Sequence, residues 1–207
     1  VVQCLEQKKG RGRHGREWVS PIGNLYMSVL LRPDCPIDEA GQLSFVAAVA
    51  LSAAMDEVME KGHRKTLKWP NDVLIDGRKV SGILIEKEET GYALGLGVNI
   101  MSAPEEAVCL KDVCGDNRLA IHPFRDAVLE KLKIYYALWQ EDSFQPIRKL
   151  WLEQAHGLNE DIAVTIGQNR YQGIFQDLDE RGFLQIEEAG TGKTIAINSG
   201  EVYFPDS

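Results

Sequence analysis

The residues best suited to chemistry stand between Gln7 and Trp18, where Gly10-Arg11-Gly12-Arg13-His14-Gly15-Arg16 alternates glycine with cations. Glycine at alternate positions lets the backbone turn through positive φ and approach a ligand closely. Successive amides in such a turn can form an anion-binding nest. The arginines between them offer forked donors that match carboxylate or phosphate oxygens. The chemistry this indicates is capture of an anion. The spacing is neither a Walker A loop nor a dinucleotide fingerprint. The competing local readings are a solvated basic loop and an RGG-like RNA contact. Trp18 can stack on a base or ring, and on its own it fits a core position equally well.

Three further clusters follow. In Lys68-Trp69-Pro70-Asn71-Asp72-Val73, Pro70 forces Trp69 into extended geometry and ends a strand. Asn71 and Asp72 then sit in a turn, either as donors and acceptors for a ligand or in local Asx bonding. In Lys79-Val80-Ser81-Gly82-Ile83-Leu84-Ile85-Glu86, Gly82 interrupts an apolar strand, a mark of close approach by a ligand or backbone. Lys79 at its entrance can meet a phosphate or carbonyl, or be an ordinary strand-end charge. Gly95-Leu96-Gly97-Val98-Asn99 puts glycines on one strand face, a floor for a flat or bulky ligand.

The elements that must position these clusters are legible from periodicity and turn residues. Strands are predicted at Val1 to Leu5, Asn24 to Leu31, Thr66 to Trp69, Val73 to Ile75, Lys79 to Glu86 and Tyr92 to Ile100. Gln7 to Arg16 reads as a loop, and the two prolines in Arg32 to Pro36 break the pattern. Asp76-Gly77 is a hairpin turn signal, and consecutive strands joined by short turns imply antiparallel pairing. Asp38 to Lys61 is the clearest helix, with Leu43, Val46, Ala47, Ala50, Leu51, Ala54, Met55 and Val58 on helical spacings and Gly62 as its stop. Phe124 to Gln140 and Phe144 to Gln154 are two more, Pro123 standing at a first-turn position. After Gly157 the texture changes to five short strands: Ala163 to Ile166, Arg170 to Asp177, Phe183 to Glu187, Thr194 to Ile197 and Glu201 to Phe204. Five short strands punctuated by glycine suggest a small barrel. This places a domain boundary near His156, and no internal repeat or low-complexity segment appears.

The bulk properties narrow the function classes. The 207 residues carry a formal charge of −8, which argues against a general nucleic-acid binder. Yet Lys8, Lys9, Arg11, Arg13 and Arg16 concentrate five of the 23 basic residues in one loop. Hydrophobic residues at 44% and charged residues at 26% are ordinary globular usage. No apolar run approaches the roughly 18 residues that span a bilayer, and Val1 to Glu6 lacks the features of a signal peptide. Cys4, Cys35, Cys109 and Cys114 complete no zinc pattern and read as reduced thiols of a cytoplasmic protein. The opening at Val1, in mid-strand style and without an initiator Met, suggests a piece of a longer chain.

Taken together and in order, the four clusters are specific. Gln7 with Gly-Arg-Gly-Arg-x-Gly-Arg and Trp18, Lys-Trp-Pro-Asn-Asp, Arg-Lys-Val-Ser-Gly-Ile-Leu-Ile-Glu and Gly-x-Gly-Val-Asn-Ile resemble the biotin protein ligases, or holocarboxylase synthetases. The resemblance covers nearly the whole chain. It implies an α+β fold: a mixed, largely antiparallel central sheet with helices packed on it, of class II synthetase type, then a small SH3-like β-barrel. The corresponding domains are 1–156, catalytic, and 157–207. It implies formation of biotinyl-5′-AMP from biotin and ATP with Mg²⁺, then transfer of biotin to one lysine of a biotin carboxyl carrier domain.

By the same resemblance, Arg11 and Arg13 hold the biotin carboxylate and the adenylate phosphate, and their loop orders over the ligand. Gln7 and Gly10 line the biotin site, and Gly82, Gly95 and Gly97 floor it. Arg16 and Trp18 reach the adenosine, Trp18 packing on the adenine, and Asn99 bonds the nucleotide side. Lys79 contacts the biotin carboxyl and α-phosphate oxygens and stabilises the transition state. Asp72 orients or deprotonates the incoming amine. Lys68 and Asn71 shape the nucleotide or Mg²⁺ region, the metal being held mainly by nucleotide phosphates. A lipoate or octanoyl ligase, or a chain that binds biotin or nucleotide without turnover, are the alternatives. The chain departs from the family pattern twice: no Ser-Thr-Asn motif occurs, and Lys9 stands where the family carries a small residue. Neither a membrane nor DNA is expected as a partner. Sheet edges are available for a homodimer or for docking the carrier.

Overall fold

The computed structural model describes residues 1–36, 39–115 and 119–204. Its first part runs β1 (Val2–Cys4), β2 (Leu25–Leu31), a 3₁₀ turn at Ala40–Gln42, α1 (Leu43–Met55), β3 (Lys65–Lys68), β4 (Asp72–Ile75), β5 (Arg78–Glu88), β6 (Gly91–Val98), α2 (Ile121–Asp142) and α3 (Gln145–Leu152). The six strands form one sheet in the order β1-β2-β6-β5-β4-β3, every neighbour antiparallel. Asp76 and Gly77 both take positive φ, 50° and 77°, which is the twist a two-residue hairpin needs.

Strand periodicity divides the sheet into a core face and a site face. On β6, Leu94, Leu96 and Val98 are buried in the apolar core, while Gly95 and Gly97 alternate onto the other side. Helix α1 is buried on all sides except at Ala53, wedged between the sheet and the other two helices. Its alanines and serines permit that close approach. Burying its leucine, valine, phenylalanine and methionine side chains contributes about 1.5–3 kcal/mol each.

Two sequence boundaries move for identifiable reasons. The first helix ends at Met55, not Lys61, because Val58 and Met59 fold back onto the Met55 carbonyl and Glu60 N–H then donates to Val113 at 3.0 Å. Its predicted start, Asp38, lies outside the described residues. Strand β6 stops at Val98, not Ile100, because buried Asn24 Oδ1 accepts the N–H groups of Ile100, Met101 and Ser102 at 2.8, 2.9 and 3.2 Å. The second helix begins at Ile121, one turn earlier than Phe124.

The rest of the chain forms β7 (Asp161–Ile166), β8 (Asn169–Leu178), β9 (Leu184–Glu188), β10 (Thr194–Ile197) and β11 (Glu201–Tyr203). These five predicted strands make a second antiparallel sheet, ordered β10-β9-β8-β7-β11, with β10 and β11 at its ends. Residues 205–207 of the predicted second domain lie outside the described residues. The two sheets share one apolar core. Trp69 Nε1 donates to the Gly182 carbonyl at 3.1 Å, Gln42 Nε2 to Glu180 at 3.0 Å, and Arg148 pairs with Asp177. The outer side of β3 is covered by residues 154–156, with Leu67 N–H on the Gln154 carbonyl and His156 N–H on that of Leu67. Among the described residues no helix is long and apolar enough to cross a membrane. None of the four cysteines is in a disulfide.

Candidate active site

The Gly/Arg segment, predicted as a loop, folds as a hairpin. Its stem is closed by Gln7 N–H on the Ser20 carbonyl (3.2 Å), Trp18 N–H on Gly10 (3.0 Å) and Gly12 N–H on Arg16 (2.7 Å). The tip, Arg13–Gly15, is a 3₁₀ turn with His14 and Gly15 at positive φ. Gly10 is obligatory: a Cβ there would stand 2.3 Å from the Trp18 carbonyl oxygen and 2.5 Å from Ser20 Oγ. Ser20 Oγ in turn donates to Gln7 Oε1 at 2.9 Å. The amides of Gly12 and Trp18 close the stem and that of Arg16 donates to the Arg13 carbonyl within the tip, so these three take no part in an anion nest. The arginine side chains are the charged donors of the hairpin.

The hairpin leans over the glycine face of the first sheet and closes a cleft of about 840 Å³. That volume suits a ligand the size of a nucleotide conjugate. Of the fourteen residues predicted for the site, all but Gly10 line this cleft. Gly10 lies buried in the stem beneath it. Lys9 is exposed and stands at the cleft's mouth.

The floor is partly covered by Trp18. A Cβ at Gly97 would fall 2.6 Å from Trp18 Nε1, and one at Gly82 3.1 Å from its Cζ3, so both glycines are the bed of the indole. Gly95, one step along β6, meets only its neighbour Leu84 at ordinary distance. Trp18 Nε1 is buried with no hydrogen-bond partner among the described residues. A donor in that position is satisfied when a ligand acceptor reaches it.

Charge is arranged around this floor as cations each held in place. Lys79 Nζ stands 2.6 Å from Asp72 Oδ1, close enough for an ion pair although outside hydrogen-bond geometry, and 5.3 Å from the Trp18 ring centroid. Arg11 Nη2 is 3.2 Å from Glu86 Oε1 on β5. Arg13 Nη1 donates to the Gly200 carbonyl at 3.4 Å, and Arg16 pairs with Glu201, so the hairpin tip rests on the second sheet. Burial pushes the Arg13 guanidinium below arginine's usual value; Asp72 opposes this and Arg16 adds to it. Lys68, paired in register with Asp72 across β3 and β4, is also lowered, mainly by burial, with Asp72 opposing and Lys79 and Arg16 adding. Desolvated cations this close together favour an arriving anion.

The two asparagines are held by the protein itself. Asn71 Nδ2 donates to the Ile83 carbonyl at 2.7 Å and its own carbonyl accepts Ile83 N–H at 3.0 Å, locking the Pro70 turn to β5. Asn99, 3% exposed, donates Nδ2 to the Val108 carbonyl at 3.4 Å. Sequence reasoning missed Glu86, Gly200 and Glu201, which partner the arginines. Glu86 closes the third cluster and Glu201 opens a predicted strand, but nothing local announces a partner for Arg13 that lies 187 residues away. Among the described residues no group of three or more His, Cys, Asp or Glu side chains could cage a metal ion.

Comparison with known proteins agrees with this geometry. Residues 1–100 match the Biotin/lipoate A/B protein ligase family, and residues 157–204 match the Biotin protein ligase C terminal domain. The chain is 39% identical to a biotin–[acetyl-CoA-carboxylase] ligase of Paracoccus denitrificans, over 98% of this chain and 89% of that protein. It is 31% identical to the ligase of the same name from Mycobacterium tuberculosis, over 98% and 77% of the two chains. Among solved structures, the biotin protein ligase of Aquifex aeolicus in complex with biotin and ATP superposes with a TM-score of 0.83 at 30% identity, over 97% of this chain and 86% of that one.

Proposed function

The chain belongs to the biotin protein ligase family, and from that premise we propose how its cleft performs ATP-dependent biotinylation of a carboxylase. The first step brings together two anions, the biotin carboxylate and the α-phosphate of ATP. Carboxylate oxygen attacks phosphorus and pyrophosphate leaves, giving biotinyl-5′-AMP. Arg11, Arg13 and Lys79 offset the repulsion and the charge that develops at phosphorus. Biotin lies along Gln7 and Gly95, the part of the floor left open by the indole that beds on Gly82 and Gly97, and the adenosine lies against Trp18, near Arg16 and Asn99. Lys68 and Asn71 stand on the phosphate side.

In the second step a neutral lysine amine attacks the acyl carbon and AMP leaves. Asp72 is placed to orient that amine and take its proton, while its contact with Lys79 fixes the ammonium for the first step. We assign the acceptor as one lysine of a biotin carboxyl carrier domain, and the reaction to the cytoplasm, which suits four cysteines outside any disulfide. Mg²⁺ would be carried mainly by the nucleotide phosphates, in the region that Lys68 and Asn71 shape, and there it would supply charge neutralisation for the departing pyrophosphate. Residues 1–156 act as the catalytic unit and 157–207 as the unit that braces the hairpin tip. Among the described residues the outer edge of β1 pairs with no further strand, and it is one edge available to the carrier or to a second copy.

The observation that carries the reading is the convergence of Arg11, Arg13, Arg16, Lys68 and Lys79 over a glycine floor in one cleft. Labelled biotin, ATP, Mg²⁺ and a carrier domain should give label on the carrier and biotin-dependent ATP–pyrophosphate exchange. Transfer of lipoate alone would exclude the reading, and binding without exchange would leave only a ligand-binding chain. Gly97→Ala should force the indole off its bed. The expected result is about tenfold weaker biotin binding by calorimetry, the scale of one misfitted contact. Unchanged affinity would show that Trp18 need not rest on Gly97.

A further inference from the structure

The second sheet also reaches the site from behind. Past β11, the Phe204 ring centroid lies 5.2 Å from Lys68 Nζ, within cation–π range. His156 packs its ring edge-on against Phe204 at 4.5 Å and 78°. At Gly157 a Cβ would stand 2.2 Å from Phe204 Cε1, so the 156–157 segment and this ring fit closely. Lys68 lines the cleft and Phe204 does not.

The electrostatics set Lys68 apart. Arg11, Arg16 and Lys79 are each paired with a carboxylate and Arg13 with a carbonyl. Among the described residues Lys68 alone of these five cations has neither an ion pair nor a side-chain hydrogen bond; an aromatic face holds it instead. A cation held by a ring, not by a carboxylate, keeps its charge unneutralised toward the cleft. It can meet a phosphate without first giving up an anionic partner.

We propose that Phe204 is a positioning residue for the nucleotide: its ring aims the Lys68 ammonium at the triphosphate of ATP, so a side chain outside the cleft takes part in adenylate formation without touching substrate. The inference rests on reading Lys68 as a nucleotide-side cation. The test is biotin-dependent ATP–pyrophosphate exchange by the full chain carrying Phe204→Leu, Phe204→Tyr, Lys68→Met or both Phe204→Leu and Lys68→Met. KM for ATP and for biotin are read separately, and the thermal midpoint is recorded.

Phe204→Leu should raise KM for ATP about fivefold, leave KM for biotin within about twofold, and be rescued by Phe204→Tyr, which keeps the ring face. Lys68→Met should raise KM for ATP at least as much, and Phe204→Leu should add nothing to it. A rise in Lys68→Met without one in Phe204→Leu would overturn the role of Phe204 and leave the reading of Lys68 standing. An unchanged KM for ATP in Lys68→Met would overturn that reading and the inference with it. Effects of the two substitutions that add, or a rise in both KM values with a lowered midpoint, would mark Phe204 as structural only and also overturn it. If Phe204→Leu does not fold, Phe204→Met takes its place.

Discussion

Lys79→Ala should reduce biotin-dependent ATP–pyrophosphate exchange about a thousandfold, the upper range for removing one donor aimed at developing charge. The reason is geometric. Lys79 stands at the start of an apolar strand whose backbone is fixed: Val108 N–H donates to the Lys79 carbonyl and Asn99 N–H to that of Val80. Its ammonium is directed across the glycine floor to Asp72, beside the Trp18 indole. Removing it takes away a cation where two anions must meet. It also leaves the Asp72 carboxylate facing them, which adds repulsion to the lost attraction.

The fold should survive the change. The Lys79 side chain is 36% exposed, and a pair so placed stabilises a protein little. The thermal midpoint is therefore expected within about two degrees of wild type. Lys79→Arg should restore little activity, because a planar fork does not replace a point charge in a fitted site. Exchange near the wild-type rate in Lys79→Ala would remove Lys79 from the mechanism.

The second large effect is expected in Arg13→Gly, as release of biotinyl-5′-AMP about a hundredfold faster than from the wild type. Two charge-assisted hydrogen bonds to a carboxyl or phosphate oxygen account for that scale. In the free protein Arg13 makes one long bond, to the Gly200 carbonyl at 3.4 Å, an arrangement readily exchanged for a stronger anionic acceptor. Burial that lowers its pKa also deepens its gain from an anion, since the guanidinium remains charged at any working pH. Glycine at this position has a second effect, because it loosens a tip that already contains Gly12 and Gly15. Arg13→Ala separates the two: release as fast as in Arg13→Gly assigns the effect to the lost guanidinium. The off-rate of labelled adenylate by rapid filtration is the measurement, and an unchanged off-rate would remove Arg13 from adenylate retention.

These expectations show how the sequence and the structure divide the explanation. Leu94, Leu96 and Val98 alternate with Gly95 and Gly97, so the core face and the glycine face of β6 are both legible in the residue pattern alone. Asp76-Gly77 likewise announces the hairpin between β4 and β5. Helix α1 is legible in existence and type but not in its end, because the pairing of Met59 and Glu60 with residues 113 and 114 is invisible to a local period. The Gly/Arg segment is legible as a concentration of cations, but its hairpin stem is not. Glycine and arginine carry little strand propensity, and the hydrogen bonds that close the stem come from backbone groups.

By itself, then, the sequence determined the parts that line the cleft: which residues bring cations, glycines and a carboxylate, and on which strands they ride. Local periodicity and residue chemistry are enough for that, since both are written within a few positions of each residue. Only the tertiary structure decided the partners. It set Glu86 against Arg11, Glu201 against Arg16, Gly200 against Arg13 and Phe204 under Lys68, and it laid Trp18 on Gly82 and Gly97. Those pairings join groups far apart in the chain. They follow from how two sheets pack on one core, which no single segment encodes.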